Sequence, residues 1–170
     1  MTKIYGQVSI PGRFSVTVEA ESEFPKSYLE INIITIDDAA YMTDIFTGRW
    51  NQISADSLPF NLSGLGQTLA DIVDAVESPV AVSEERLRDV DTLHIKGQIA
   101  SQDLSELVPG AGEDFPVDLE LWLDREQGLL HQVHIIGRVV PTDDSGTVRQ
   151  LSLEDINQPV DISPPGIPSG

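Results

Sequence analysis

The chain has 170 residues, 40% hydrophobic and 22% charged, with a formal net charge of −18 and no cysteine. That length suffices for one domain with its own core. The charge argues against binding a nucleic-acid backbone, and against binding anionic lipid by charge alone. The missing thiols exclude disulfides, thiolate metal sites and cysteine nucleophiles.

No apolar run approaches the roughly 20 residues of a membrane-spanning helix, and no signal peptide precedes the first strand. Met1 sits almost directly on that strand, so the sequence is expected to be a trimmed piece of a longer protein.

In chain order, Ile4, Val8 and Ile10 alternate with Lys3, Tyr5, Gln7 and Ser9, which predicts a strand over 3–10. Pro11-Gly12 is a turn signal. Phe14, Val16, Val18 and Ala20 then alternate with Arg13, Ser15, Thr17 and Glu19 as a second strand. Tyr28 to Ile36 reads as a third, with Leu29, Ile31 and Ile33 on its central face. Asp37-Asp38 turns the chain into a short strand, Ala39 to Thr43. Thr47-Gly48-Arg49-Trp50 is a turn leading to a brief fifth.

The period then changes. Leu62, Leu65, Leu69, Ile72, Val73 and Val76 recur at spacings of three and four, which predicts one amphipathic helix. Ser63 is its expected N-cap and Ser78-Pro79 its expected end. Gly64 and Gly66 weaken its first turn. Further irregular or helical structure is expected from Val82 to Arg88.

Strand pattern resumes at Asp91 to Ser101, where Leu93, Ile95 and Ile99 share a face. Asp103 to Leu107 fits a single helical turn, ended by Pro109-Gly110. The clearest β signal is the hairpin from Phe115 to Val139. Phe115, Val117, Leu119, Leu121 and Leu123 alternate with polar positions. Asp124 to Gly128 turns, and Leu129, Val133, Ile135 and Val139 share the returning face. Thr147 to Leu153 is a last strand, with Leu151 and Leu153 inward, and residues 157–170 form a proline-rich extended tail. The expected class is α+β, mainly β, built on one large antiparallel sheet.

Reactive constellations are scarce. His131 and His134 lie three apart in a strand, hence on opposite faces, and cannot chelate one metal as a helical pair does. A partly buried, hydrogen-bonded His131 and a solvated His134 are expected. Asp118 and Glu120 share a face roughly 6–7 Å apart by strand rise, near the separation of glycosidase carboxylates. A solvated acidic face is the commoner origin of such a pair. Asn61-Leu62-Ser63 matches a glycosylation sequon, a short pattern frequent by chance. Trp122 falls on the polar-patterned face, as a ligand-stacking residue or as one covered by a loop or helix.

Taken in order, several segments resemble the mycobacterial-type LppX/LprA/LprF/LprG lipoprotein family over nearly the whole chain. They are Gly6-Gln7-Val8 with Pro11 and Arg13, then Tyr41 followed by Thr47-Gly48-Arg49-Trp50, then Ile95 to Ile99 and Leu107 to Gly110. Val117 to Asp124 with Trp122 follows, and Leu151 to Leu153 leads into Asn157, Pro159-Val160, Ile162 and Pro164-Pro165.

The resemblance implies a fold similar to the LolA/LolB lipoprotein carriers. In these, a curved antiparallel half-barrel has helices over its concave face and an apolar cavity for acyl chains. It also implies a non-enzymatic, exported and lipid-anchored protein of the bacterial cell envelope. The family's signal peptide, anchoring cysteine, first helix and a leading strand have no counterpart in the sequence, so export and anchoring are expected of a longer parent chain. Residues 1–156 are the expected single domain, with 157–170 as its tail.

On this reading the cavity wall is Val16, Val18, Ile31, Ile33, Leu93, Ile95, Leu119 and Leu121, with Val133 and Ile135 from the returning strand. Leu65, Leu69, Ile72 and Val73 form the helical lid. His131, on the same face, marks either the cavity's polar end or a buried hydrogen-bonded position. The expected ligand is a lipid or glycolipid, with no cofactor, no metal and no nucleic acid. A membrane transporter or another envelope lipoprotein is the expected partner. A closed structural or protein-interaction domain is the alternative, and a hydrolase using Asp118 and Glu120 is a third.

Overall fold

Alternating hydrophobicity is realised as antiparallel strands almost wherever it occurs. The computed structural model describes residues 2–10, 12–23, 26–58, 62 and 64–166, with the backbone alone at residues 2, 21–23 and 26. The strands are β1 (Thr2–Ser9), β2 (Arg13–Glu23), β3 (Lys26–Ile36), β4 (Ala39–Thr43), β5 (Trp50–Ser54), β6 (Glu77–Leu87), β7 (Val90–Ala100), β8 (Pro116–Asp124), β9 (Leu130–Ile136) and β10 (Val148–Ser152). One α-helix, α1 (Leu65–Asp74), lies between β5 and β6. The mainly β class with antiparallel pairing is as expected. The hydrogen bonding divides it into two five-stranded sheets, β1-β2-β3-β4-β5 and β10-β9-β8-β7-β6, where a single ladder is expected from the sequence. The chain forms two compact units, Met1–Leu65 with Gln158–Gly170, and Gly66–Asn157.

In the first unit the strands follow one another as a meander. Register places Val16 opposite Ile33 and Val18 opposite Ile31, so the aliphatic positions share one face. Phe14, Val16 and Ile33 are buried together, with Val8, Ile31, Met42, Leu58 and Leu62 packed against them. Leu62 thus belongs to this cluster and precedes the helix, which starts at Leu65. The expected turn residue Pro11, the expected N-cap Ser63 and the sequon residues Asn61 and Ser63 lie outside the described residues.

In the second unit α1 ends at Asp74, short of the expected Ser78-Pro79. The N–H of Ala75 still donates to the Asp71 carbonyl, and that of Val76 to the Val73 carbonyl, and β6 begins at Glu77. The segment Val82 to Arg88, expected to be irregular or helical, is mostly β-strand, since β6 runs to Leu87. The physical reason is its place at the sheet edge. Nearly every β6 side chain is exposed, so neither face is apolar and no alternation marks it. Pro79 is tolerated there beside a bulge between Glu77 and Val80, because an outer strand leaves one row of N–H groups unpaired.

The short helical turn is Ser101–Leu104, two residues before the expected start. The second core joins Ile72 of α1 to Ile99, Leu104, Val117, Leu119, Leu121, Val133, Ile135 and Val139. Each such aliphatic side chain contributes about 1.5–3 kcal/mol on burial.

Two local features set its register. Trp122 pairs with Gln132 but Leu123 with Leu130, so a bulge inserts His131 and changes the parity of β9. Leu130 therefore packs against the core, in place of the expected Leu129. At Gly97 a Cβ would lie 2.3 Å from Val76 Cγ1 and 3.0 Å from the Glu77 carbonyl oxygen. Only glycine lets the segment leaving α1 cross β7 so closely.

Candidate functional site

Each sheet has one aliphatic face, and the expected wall residues fall on these faces. In the first unit Val16 and Ile33 are buried, while Val18 and Ile31 are half-buried. In the second, Leu119, Leu121, Val133 and Ile135 are buried with Ile72, and Ile95 and Val73 pack around them. Leu69 is buried, and Leu65 and Leu93 are half-buried. Ile72 is 0% exposed, so the proposed lid touches the proposed wall directly within this unit.

A groove of about 210 Å³ lies at the β7–β8 end of the same unit, lined by Glu77, Gln98, Ile99, Ala100, Asp114, Phe115 and Pro116. None of the expected lining residues borders it, and it falls below the roughly 300 Å³ of an ordinary ligand pocket.

The opposite face of the second sheet holds a layer not expected from the sequence. Register sets His94 of β7 beside Trp122 of β8, and their rings stack at 4.2 Å with planes 10° apart. The His134 ring meets Trp122 edge-on at 4.7 Å. Glu85 of β6 accepts from Trp122 Nε1–H at 3.3 Å and lies 2.9 Å from His94 Nδ1. Glu120 lies 3.0 Å from His94 Nε2 and 2.6 Å from Lys96 Nζ. His94, His134 and Glu85, all on neighbouring strands, thus pack against Trp122. His134 is correspondingly half-buried rather than solvated, with Gln132 Nε2 3.1 Å from its Nε2. His131 sits at the bulge, partly buried, its Nε2 3.9 Å from Asp124 Oδ2.

The electrostatics of this face favour ionised acids. The Lys96 ammonium, hydrogen-bonded to Glu120, holds that carboxyl below its ordinary range, and His94 adds to the effect. Hydrogen bonds from Ser83 and then Trp122 do the same for Glu85. A glycosidase-type acid needs the opposite, a carboxyl kept protonated near neutrality. Asp118, the partner expected in that pair, accepts a 2.9 Å hydrogen bond from Gln98 Nε2. Among the described residues no group of three or more His, Asp or Glu is placed to hold a metal ion.

The signal for the layer was a tryptophan on a polar face, but its partners depend on register. His94 and Glu85 lie 28 and 37 residues away, on strands whose pairing with β8 no local pattern specifies.

No curated protein matches the chain by sequence. Among solved structures, LprF from Mycobacterium bovis superposes with a TM-score of 0.64 at 14% identity, covering 96% of this chain and 87% of that one. The Mycobacterium tuberculosis lipoprotein LppX superposes at 0.55 and 16% identity, covering 95% and 86%. These likenesses establish a common fold. Residues 1–162 match the LppX_LprAFG lipoprotein family, and the chain belongs to that family of bacterial, envelope-associated lipoproteins.

Proposed function

We propose that the chain is a carrier domain that binds lipid or glycolipid acyl chains in an apolar cavity between sheet and helix. The observation that carries this reading is the family match over residues 1–162. The aliphatic faces support it, since burial of acyl surface needs no reactive group and contributes about 25 cal/mol per Å² removed from water. The proposed wall comprises Val16, Val18, Ile31, Ile33, Leu93, Ile95, Leu119, Leu121, Val133 and Ile135. The lid comprises Leu65, Leu69, Ile72 and Val73.

In this reading the full-length parent is exported and lipid-anchored. It exchanges cargo with a membrane transporter or another envelope lipoprotein. Native mass spectrometry of gently purified protein from a bacterial envelope tests it: lipid-sized adducts are expected, with uptake of an acyl-chain probe. A clean apo mass together with no probe uptake would overturn it.

A second reading, a structural domain with a shut core, is favoured by Ile72. Its side chain is fully buried in one core cluster with Leu119, Leu121, Val133 and Ile135, residues of the proposed wall in the second unit. Carriage there requires α1 to move. Hydrogen exchange separates the two: a carrier's α1 opens well below the free energy of global unfolding, whereas a structural helix exchanges only with it.

A further inference from the structure

The β4–β5 turn holds the most exposed large apolar side chain among the described residues. Phe46 is 89% exposed, and its neighbour Ile45 is 47% exposed. Hydrogen bonds fix the turn. Asp44 Oδ1 accepts from the Phe46 N–H at 3.1 Å, the Thr47 N–H at 2.8 Å and the Thr47 hydroxyl at 2.8 Å. The Asp44 N–H donates to the Arg49 carbonyl at 2.9 Å, and the Gly48 N–H to the Asp44 carbonyl at 2.8 Å. Gly48 takes a φ of 66°, the left-handed conformation that closes such turns. Phe46 is therefore held out into water by a pre-organised scaffold.

The tip also departs from the chain's charge. From Tyr41 to Asn51 it carries one acid, Asp44, and one base, Arg49, in a chain of net charge −18. The Asp44 carboxylate is engaged within the turn. Arg49 is exposed and has no ion-pair partner among the described residues.

We propose that this tip is a membrane-docking anchor, with Phe46 and Ile45 entering the interface of a bilayer of zwitterionic headgroups. Arg49 then sits at the level of the lipid phosphates, as cationic side chains beside apolar anchors do. A bilayer suits a convex pair of apolar side chains, which needs no complementary pocket, and a family of envelope lipoproteins works beside one. Anionic bilayers are disfavoured. Met42 pairs with Ile33, so β4 runs toward the Tyr28 end of β3, where Glu30 pairs with Glu19. The proposal does not depend on whether the chain carries lipid cargo.

Flotation with phosphatidylcholine vesicles tests it. The wild-type chain is expected to float, and Phe46→Ser to lower partitioning by about tenfold or more, the scale of one aromatic anchor removed from an apolar site. Phe46→Trp retains binding, and its new indole shifts to blue emission on vesicle addition. Both substitutions are at an exposed position and leave the fold intact. Added salt leaves the binding in place, whereas anionic lipid weakens it. Equal flotation of wild type and Phe46→Ser, no flotation of wild type, or an introduced indole that keeps its aqueous emission would overturn the proposal. Self-association that Phe46→Ser abolishes, without flotation, would assign the tip to a second copy of the chain instead.

Discussion

The imidazole of His94 stacks on the indole of Trp122 at 4.2 Å, and both ring nitrogens face glutamates, Glu85 and Glu120. Four strands, β6 to β9, are joined by this one layer. Trp122 is 6% exposed. Trp122→Ala is therefore expected to cost about 3–5 kcal/mol in denaturant unfolding, as for other buried aromatics. Phe46→Ala, at an 89% exposed site, should stay within about 0.5 kcal/mol. Comparable midpoints for the two variants would refute the structural role of the layer.

Asp143 sets a pH dependence. Its carboxyl falls from an ordinary value of 3.8 to about 2, chiefly through hydrogen bonding to Arg149, with the N–H groups of Val140 and Val139 adding to it. The folded value lies below the unfolded one, so this stabilisation is complete above pH 3.8 and is lost as pH falls toward 2. Asp143→Asn should cost about 1–3 kcal/mol at neutral pH, because two backbone donors and a guanidinium lose their anionic partner. Thermal midpoints measured from pH 7 down to 2 should show the gap to wild type closing in the acid window. A gap independent of pH would contradict the assignment.

Ile72 is the helix residue that closes the second core. Ile72→Ala should cost about 2–5 kcal/mol, the range for a fully buried aliphatic truncated in place. Leu65→Ala, at a half-buried position of the same helix, should cost less. If the helix is a lid over cargo, added acyl-chain ligand should recover part of the loss at Ile72, by mass action on the bound state. Urea midpoints with and without ligand read both effects.

Strands with an aliphatic face announce themselves: β2, β8 and, from Leu93, β7 set aliphatic residues at every second position, β3 does so from Leu29 to Ile33, and their bounds follow within a few residues. β6 does not, because an outer strand exposed on both sides has no apolar period, and Ser78-Pro79 reads as a helix stop. The apolar stripe overstates α1 at both ends. Leu62 and Val76 keep the spacing of three and four, yet pack outside the helix, one beside Phe14 and Val16, the other beside Gly97. The bulge at His131 carries no signal of its own, so the parity of β9 beyond it is misread. The aliphatic faces were legible from period two. The His94–Trp122 layer was not, since cross-strand neighbours depend on register rather than on local sequence.

The crossing of Val76 over Gly97 gives a test of that register. A Cβ at Gly97 would sit 2.3 Å from Val76 Cγ1, a stiff β-branched side chain, and 3.0 Å from the backbone oxygen of Glu77. Gly97→Ala should therefore cost about 1–3 kcal/mol through overpacking, although alanine is ordinarily no worse than glycine in a strand. Val76→Ala removes the nearer obstacle but leaves the carbonyl. In a double-mutant cycle the pair should be less destabilised than the sum of the singles, with a coupling of about 0.5–2 kcal/mol, and the rescue should be incomplete. Strict additivity would mean that Val76 and Gly97 do not meet, and that the segment leaving α1 takes another path across β7.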